Sequence, residues 1–524
     1  MSIVSFEFLI FAICVLFVYF IIPKKWQWVV ILVANIVFYG FSGIKYLTYM
    51  VITSLVTFVL ALKLEKETAV GSELVKNAGT PDEKKAIKAE TLSRKKLLCG
   101  TAVIIAAGMW VVLKYTNFFI STVNSFIGQE HALSLVSFVM PLGMSFYTFH
   151  AIGYVVDIYR SKYKAERNYL KYFTFVSYFP HIIQGPFSRF EELGKTLFAE
   201  NRFSYDRMSQ GLSRVLWGVF KKVIIADKLG TSVVEIFANY KSYTGVHIIF
   251  AILAYGIQLY ADFSGYVDIV EGFSHILGVE MAENFKQPYF ARTVDEFWRR
   301  WHITLGKWFK DYVFYPVSMG KIGQKLGKWA RKKWGARMGK LFPGYFALIF
   351  VWTATGLWHG ANWTFLVWGY LNFVIILSTM HLSEFYEKVK AKLHIKSESI
   401  LWQIFCIIRT FALVCFFRFF SVAKDVRTAC SMLKHAVVSF HKQQLLDPMS
   451  LFVNMVDKDI WVVLVGFIAL TVVDLLCETG KWEKVKEKTP FVFRYMAYAL
   501  MIVIIVMFAG GDNDLTGGFM YEVF

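Results

Sequence analysis

The chain has 524 residues, 56% of them hydrophobic, with a mean hydropathy of +0.47 and a formal net charge of +19. Soluble domains are roughly 45–50% apolar even with glycine counted, so this composition excludes an ordinary soluble globular protein and makes lipid the solvent for most of the chain. The basic residues lie in loops between apolar runs without a DNA- or RNA-binding motif, which excludes nucleic acid as partner and leaves positive-inside membrane topology as the source of the charge.

A bilayer core of about 30 Å takes about 20 apolar residues per helical crossing, and the chain supplies many such continuous runs rather than the period-2 alternation of a membrane β-barrel. The first, at about 3–22, lacks a basic leader, carries Glu7 and is too long for a signal-peptide core, so it reads as a retained span. Runs at about 28–43 and 46–62 follow. Residues 63–97 then hold nine Lys/Arg against six Asp/Glu, with Gly71, Gly79 and Pro81 as breakers, and read as a charged cytoplasmic loop, helical in part.

Apolar segments resume at about 98–127, 136–159, 169–186, 210–238 and 246–280. Two are interrupted, at Pro141-Leu142-Gly143 and at Pro180-His181-Ile182-Ile183-Gln184-Gly185-Pro186. In lipid, broken backbone survives only where protein or a wet cavity covers it, so these motifs suggest re-entrant or kinked elements; a surface loop between short helices is the alternative.

From 286 to 340 the chain turns basic and aromatic, fourteen Lys/Arg against three acids, and reads as a cytoplasmic-side segment. Within it Met319 to Lys340 has eight basic residues, no acid, and Trp329 and Trp334. That pattern fits an interfacial helix on anionic lipid, or a surface for an acidic partner or nucleotide-bearing donor. Final spans fall at about 343–382, 400–421, 457–477 and 491–510. With 63–97, 286–340 and Lys24-Lys25 inside, the amino terminus is external. The expectation is an all-α polytopic membrane protein of about 11–13 transmembrane or re-entrant helices, one membrane-embedded domain over residues 1–524. No internal repeat supports an inverted-repeat transporter.

Two of the eleven histidines sit in dense aromatic surroundings: Phe297-Trp298-Arg299-Arg300-Trp301-His302-Ile303-Thr304-Leu305, and Gly356-Leu357-Trp358-His359-Gly360-Ala361-Asn362-Trp363. His359 lies inside an apolar run, where an ionisable side chain is expensive and functional by default. Imidazole is the side chain suited to accept and return a proton near neutral pH. Acyl transfer from a thioester needs such a base for the attacking hydroxyl, and fixed donors for the oxyanion. His359 suits the first task; Asn362, the indoles of Trp301 and Trp358, or His302 suit the second. The alternatives are a hydrogen-bonded structural histidine at 359 and an aromatic-belt residue at 302. No HxxxH or HExxH spacing marks either as a metal ligand, and the six cysteines show no CxxC spacing.

Asp262, Asp268 and Glu271 lie in a further apolar stretch, as a proton path or as internal ion pairs with Arg292, Arg299 or Arg300. Asn284, in a loop leading to the first histidine motif, positions substrate or caps a turn. With His359 and His302 as the catalytic pair, Asn284, Asn362, Trp301, Trp358, Asp262 and Arg299 are the candidate substrate-binding residues.

The two histidine motifs resemble the membrane-bound O-acyltransferase superfamily, in its alginate O-acetyltransferase membrane-subunit branch. So do Pro141 to Phe149, Tyr178-Phe179-Pro180 through Gly185-Pro186, Asp262 to Tyr266, and Asn284-Phe285 with Pro288-Tyr289. That resemblance implies a bowl of tilted helices with a central tunnel, a cytoplasmic acyl thioester donor such as acetyl-coenzyme A, no bound cofactor, and an acceptor on the outer side. It implies His359 as the principal histidine and His302 as the second, in a bacterial plasma-membrane protein passing acetyl groups to an envelope polysaccharide, through an external SGNH-type partner acyltransferase. D-alanyl transfer from a carrier protein toward teichoic acid is the close alternative, and a transporter or flippase the distant one. Gly510 to Phe524 departs from the aromatic ending of the branch.

Overall fold

The computed structural model describes residues 2–127 and 132–509; the departure noted at Gly510 to Phe524 lies outside the described residues. Those residues are almost wholly helical. Among the described residues, eight helices are long and apolar enough to cross a membrane. Shorter helices, among them the apolar Phe6–Ile21, make up the remaining elements. The contacts group the chain into two compact units, Met1–Leu212 with Val270–Ala282, and Ser213–Ile269 with Glu283–Phe524.

In the first unit α1 (Phe6–Ile21) and α2 (Gln27–Gly40) meet through Phe8, Phe11 and Phe38, whose rings surround Phe179. Helices α3 (Leu47–Asn77) and α4 (Pro81–Ile127) form a long hairpin. The stretch 63–97, expected as a partly helical loop, is helical on both sides of a turn at 78–80. Its Ala, Leu, Lys and Glu favour helix and its exposed charges need no loop for solvation. Thr80 Oγ1 accepts from Glu83 N at 3.2 Å while the Glu83 carboxylate accepts from Gly79 N at 2.9 Å, a capping arrangement that starts α4. Gly71 lets the arms touch, since a Cβ there would lie 2.4 Å from Thr91.

The two interrupted motifs meet in this unit. Helices α5 (Met144–Tyr159) and α6 (Tyr169–Val176) flank the break, and residues 172–188 are all buried, as a broken intramembrane element requires and a surface loop does not. Gly143 has φ +63°, and a Cβ on it would sit 2.1 Å from the Ile182 carbonyl. Asn35 holds the break, donating to Thr174 O and accepting from Phe179 N.

The run at 210–238, nearly all of it in the second unit, is a helix interrupted by a π-helical turn, Lys221–Asp227. The division between units falls inside α7 (Gly245–Leu277). The basic segment holds two short helices, α8 (Val294–Arg300) and α9 (Ile303–Phe309), and leads into α10 (Lys321–His359). The expected interfacial helix is the first arm of α10, folded back at Gly335, where φ is +88°. Trp329, Trp334 and Phe342 pack edge-on and tilted against one another at the bend and Lys333 lies over both indoles. Four long helices follow among shorter ones in the described residues: α11 (Trp363–His381), α12 (Ile400–Val422), α13 (Asp457–Glu478) and α14 (Phe491–Ala509).

Candidate active site

His302 occupies the break between α8 and α9, with φ +46°, a left-handed conformation uncommon for a residue with a side chain. A short antiparallel pairing holds it there: Lys286 N donates to Arg300 O, and Ile303 N to Asn284 O, each at 3.0 Å. Asn284 Oδ1 accepts from Thr304 N at 3.2 Å, from Thr304 Oγ1 at 2.8 Å and from His302 Nδ1 at 3.0 Å. The amide of Thr304 can only donate, so the atom it meets is the Asn284 oxygen and the proton of that third bond resides on His302 Nδ1. The lone pair of the neutral ring therefore lies on Nε2. Burial lowers the His302 pKa to about 3, which keeps the ring neutral at ordinary pH.

His359 ends α10 and is 4% exposed. Its ring packs edge-to-face on Trp358 and on Trp368, both at 4.9 Å. Its flanking glycines serve helix packing. A Cβ at Gly360 would sit 2.1 Å from the Phe365 ring, and one at Gly356 would sit 2.7 Å from the Phe365 carbonyl, so the start of α11 closes against the end of α10.

The two motifs converge on one indole. Trp358 lies 4.9 Å from the ring of His359 and 5.9 Å from that of His302, so residues 57 positions apart share a wall. Around them Trp301 packs with Phe285, Phe297 and Phe263. Trp298 stands against Trp352 and Trp368 and donates from Nε1 to Asn372 Oδ1 at 2.9 Å.

The other sequence candidates divide. Asn284, Trp301 and Trp358 are buried beside the histidines. Asn362 caps α11, accepting from Thr364 N at 3.0 Å and donating to Lys424 O at 2.8 Å, so its amide is committed to structure. Arg299 is exposed and pairs with Asp295 one turn away. Asp262 is buried, but its partner is Lys222 at 2.8 Å, itself 2.8 Å from Asp227, and not Arg292, Arg299 or Arg300. Asp268 likewise binds Lys221 and Arg214. The π-helical turn aims the adjacent lysines at α7, which nothing in the local sequence announces.

One residue of this neighbourhood escaped sequence reasoning. Arg418, on α12 and 5% exposed, lies over the rings of Trp368 at 5.1 Å and Trp301 at 5.8 Å. An arginine inside the apolar run 400–421 carries the same signal that singled out His359.

The model of the membrane-bound O-acyltransferase family matches residues 165–331, a span that contains Asn284 and His302. The chain is 32% identical to a probable alginate O-acetylase of Azotobacter vinelandii over 354 residues, 67% of this chain and 63% of that protein. Residues 165–331 are thus a membrane-bound O-acyltransferase family match. The chain's relatives include the peptidoglycan O-acetyltransferase of Helicobacter pylori, 28% identical over 442 residues, 79% of this chain and 74% of that protein. They also include the teichoic acid D-alanyltransferase of Bacillus subtilis, 28% identical over 290 residues, 54% of this chain and 68% of that protein. The chain spans a little under two thirds of the alginate O-acetylases it matches, 63% and 64% of the first two. The family match and the eight apolar helices make it a multi-pass membrane protein.

Proposed function

We propose that the protein is a membrane O-acyltransferase of the bacterial plasma membrane. It takes an acyl group, acetyl in the first reading, from a cytoplasmic thioester and passes it toward an envelope polysaccharide or an external SGNH-type partner. The observation that carries this reading is the shared indole: Trp358 touches both His302 and His359. His359 acts as base for the acceptor hydroxyl, a role worth roughly 10²–10⁴ in rate. His302 orients that hydroxyl. With its proton held on Nδ1 by Asn284, its Nε2 offers a lone pair, which suits orientation better than oxyanion binding.

Replacing His359 by Ala tests the reading. Polymer acylation is lost while expression and membrane insertion stay intact; retained acylation sinks the assignment. The likeness to the teichoic acid D-alanyltransferases favours a second reading, D-alanyl transfer from a carrier protein. Offering purified protein acetyl-coenzyme A against aminoacyl carrier protein separates the two. Substrate movement without covalent acyl product favours a transporter instead.

A further inference from the structure

If His302 keeps its donor on the Asn284 side and Asn362 spends its amide on α11 and Lys424, the oxyanion of the proposed reaction needs another partner. Acceptor attack forms a bond from the hydroxyl oxygen to the thioester carbon and moves the carbonyl π pair onto its oxygen, while the hydroxyl proton passes to His359. Collapse of that oxyanion expels the thiolate, which takes the proton. Negative charge appears and vanishes on one atom, where fixed positive charge stabilises the transition state more than the ground state.

The neighbourhood of the histidines carries unmatched positive polarity. The Asn284 Nδ2 and Trp301 Nε1 donors are buried without a hydrogen-bond partner. The Arg418 guanidinium has no carboxylate in ion-pair contact among the described residues. Its neighbours are the indole faces of Trp301 and Trp368, which belong to the walls of the His302 and His359 motifs. Two indole faces offset part of the cost of burying a cation without neutralising it. A buried cation without a counter-ion is otherwise expensive, and within a membrane span it marks function.

We propose that Arg418 is the site's electrostatic residue, a cation left unpaired by protein carboxylates so that a negatively charged oxygen of the reacting acyl group becomes its partner. The inference rests on the acyl-transfer reading. A merely structural clamp between two tryptophans makes a different prediction, because neutralising an unpaired buried charge at constant size does not destabilise the fold.

The test compares wild type with Arg418→Gln and Arg418→Lys, purified in detergent. Thiol release from acetyl-coenzyme A and from aminoacyl carrier protein is followed together with thermal unfolding and tryptophan quenching by iodide and by neutral acrylamide. Arg418→Gln is expected to lower turnover roughly 10²-fold, with KM within roughly threefold, while Arg418→Lys recovers part of the rate. Its unfolding temperature is unchanged or raised, and iodide quenching falls while acrylamide quenching holds. Turnover within roughly threefold of wild type overturns the inference. So does a lowered unfolding temperature with unchanged iodide quenching. Wild-type protein without His359-dependent thiol release from either donor defeats the acyl-transfer reading instead, and the iodide comparison then decides alone whether Arg418 presents its charge to an anion.

Discussion

Asn284 Oδ1 lies 3.0 Å from His302 Nδ1 and 3.2 Å from Thr304 N, so one amide oxygen fixes both the tautomer of a ring and the start of α9. Asn284→Ala removes that restraint and is expected to lower acyl transfer by roughly 10²–10⁴, the scale of a base lost or presented in the wrong tautomer. Asn284→Asp keeps an acceptor but adds a negative charge that favours imidazolium. Its rate profile therefore falls at a higher pH than that of wild type as acid is added. Coincident profiles refute the assignment.

Acid should weaken the fold through His302. The unfolded ring titrates at about 6.5, whereas burial lowers the folded value to about 3. Between those values the unfolded state binds a proton that the folded state does not, so stability falls as pH drops through that window, by at most about 1.4 kcal/mol per pH unit. Thermal unfolding at stepped pH checks this. His302→Gln should shed that share of the acid sensitivity; an identical slope in the variant removes His302 as its source.

Gly360→Ala drives a methyl group into the Phe365 ring, 2.1 Å from its nearest carbon. Overpacking of this kind costs roughly 1–3 kcal/mol. A companion Phe365→Leu change should restore part of the unfolding temperature. If Gly360→Ala alone is as stable as wild type, the two helices do not close as described.

Lys222→Met strips the lysine from two carboxylates, Asp262 and Asp227. Breaking a buried pair on one side costs roughly 3–5 kcal/mol, so membrane yield should fall sharply. Adding Asp262→Asn should recover much of it, because Asp262 is the fully buried carboxylate of the two, whereas the Asp227 side chain is 41% exposed. Unaltered yield in Lys222→Met would make the pair dispensable.

Much of the fold is legible along the chain because hydropathy is local: the last three spans lie within a few residues of the observed helices, the single run expected at 343–382 is divided at 360–362 between α10 and α11, and His359 announces itself as a charge-capable group in an apolar run. What depends on side chains from distant segments is not legible. Nothing near Asp262 shows that Lys222 will meet it rather than Arg299, and nothing near Trp358 shows that its ring will face His302. Asn362 looked like an oxyanion donor from its place beside His359, yet its amide is consumed as a helix cap, a use that sequence spacing alone also permits. The charged stretch 63–97 reads as a partly helical loop because Gly71, Gly79 and Pro81 punctuate its charges, yet of these only Gly79 lies in the turn at 78–80, while Gly71 is inside α3 and Pro81 begins α4. Arg418 is legible by the same rule as His359, an ionisable side chain inside the apolar run 400–421.

At 47 residues α4 is about 70 Å long, more than twice the depth of a bilayer core, so its charged half and that of α3 stand clear of the apolar layer as a paired rod. For a small membrane protein that is an alignment handle. In cryogenic electron microscopy such a rod rises beyond the detergent belt and gives each particle a direction. An antibody fragment directed at the turn around Thr80 would enlarge it, and its binding to sealed vesicles would report which face of the membrane carries the hairpin.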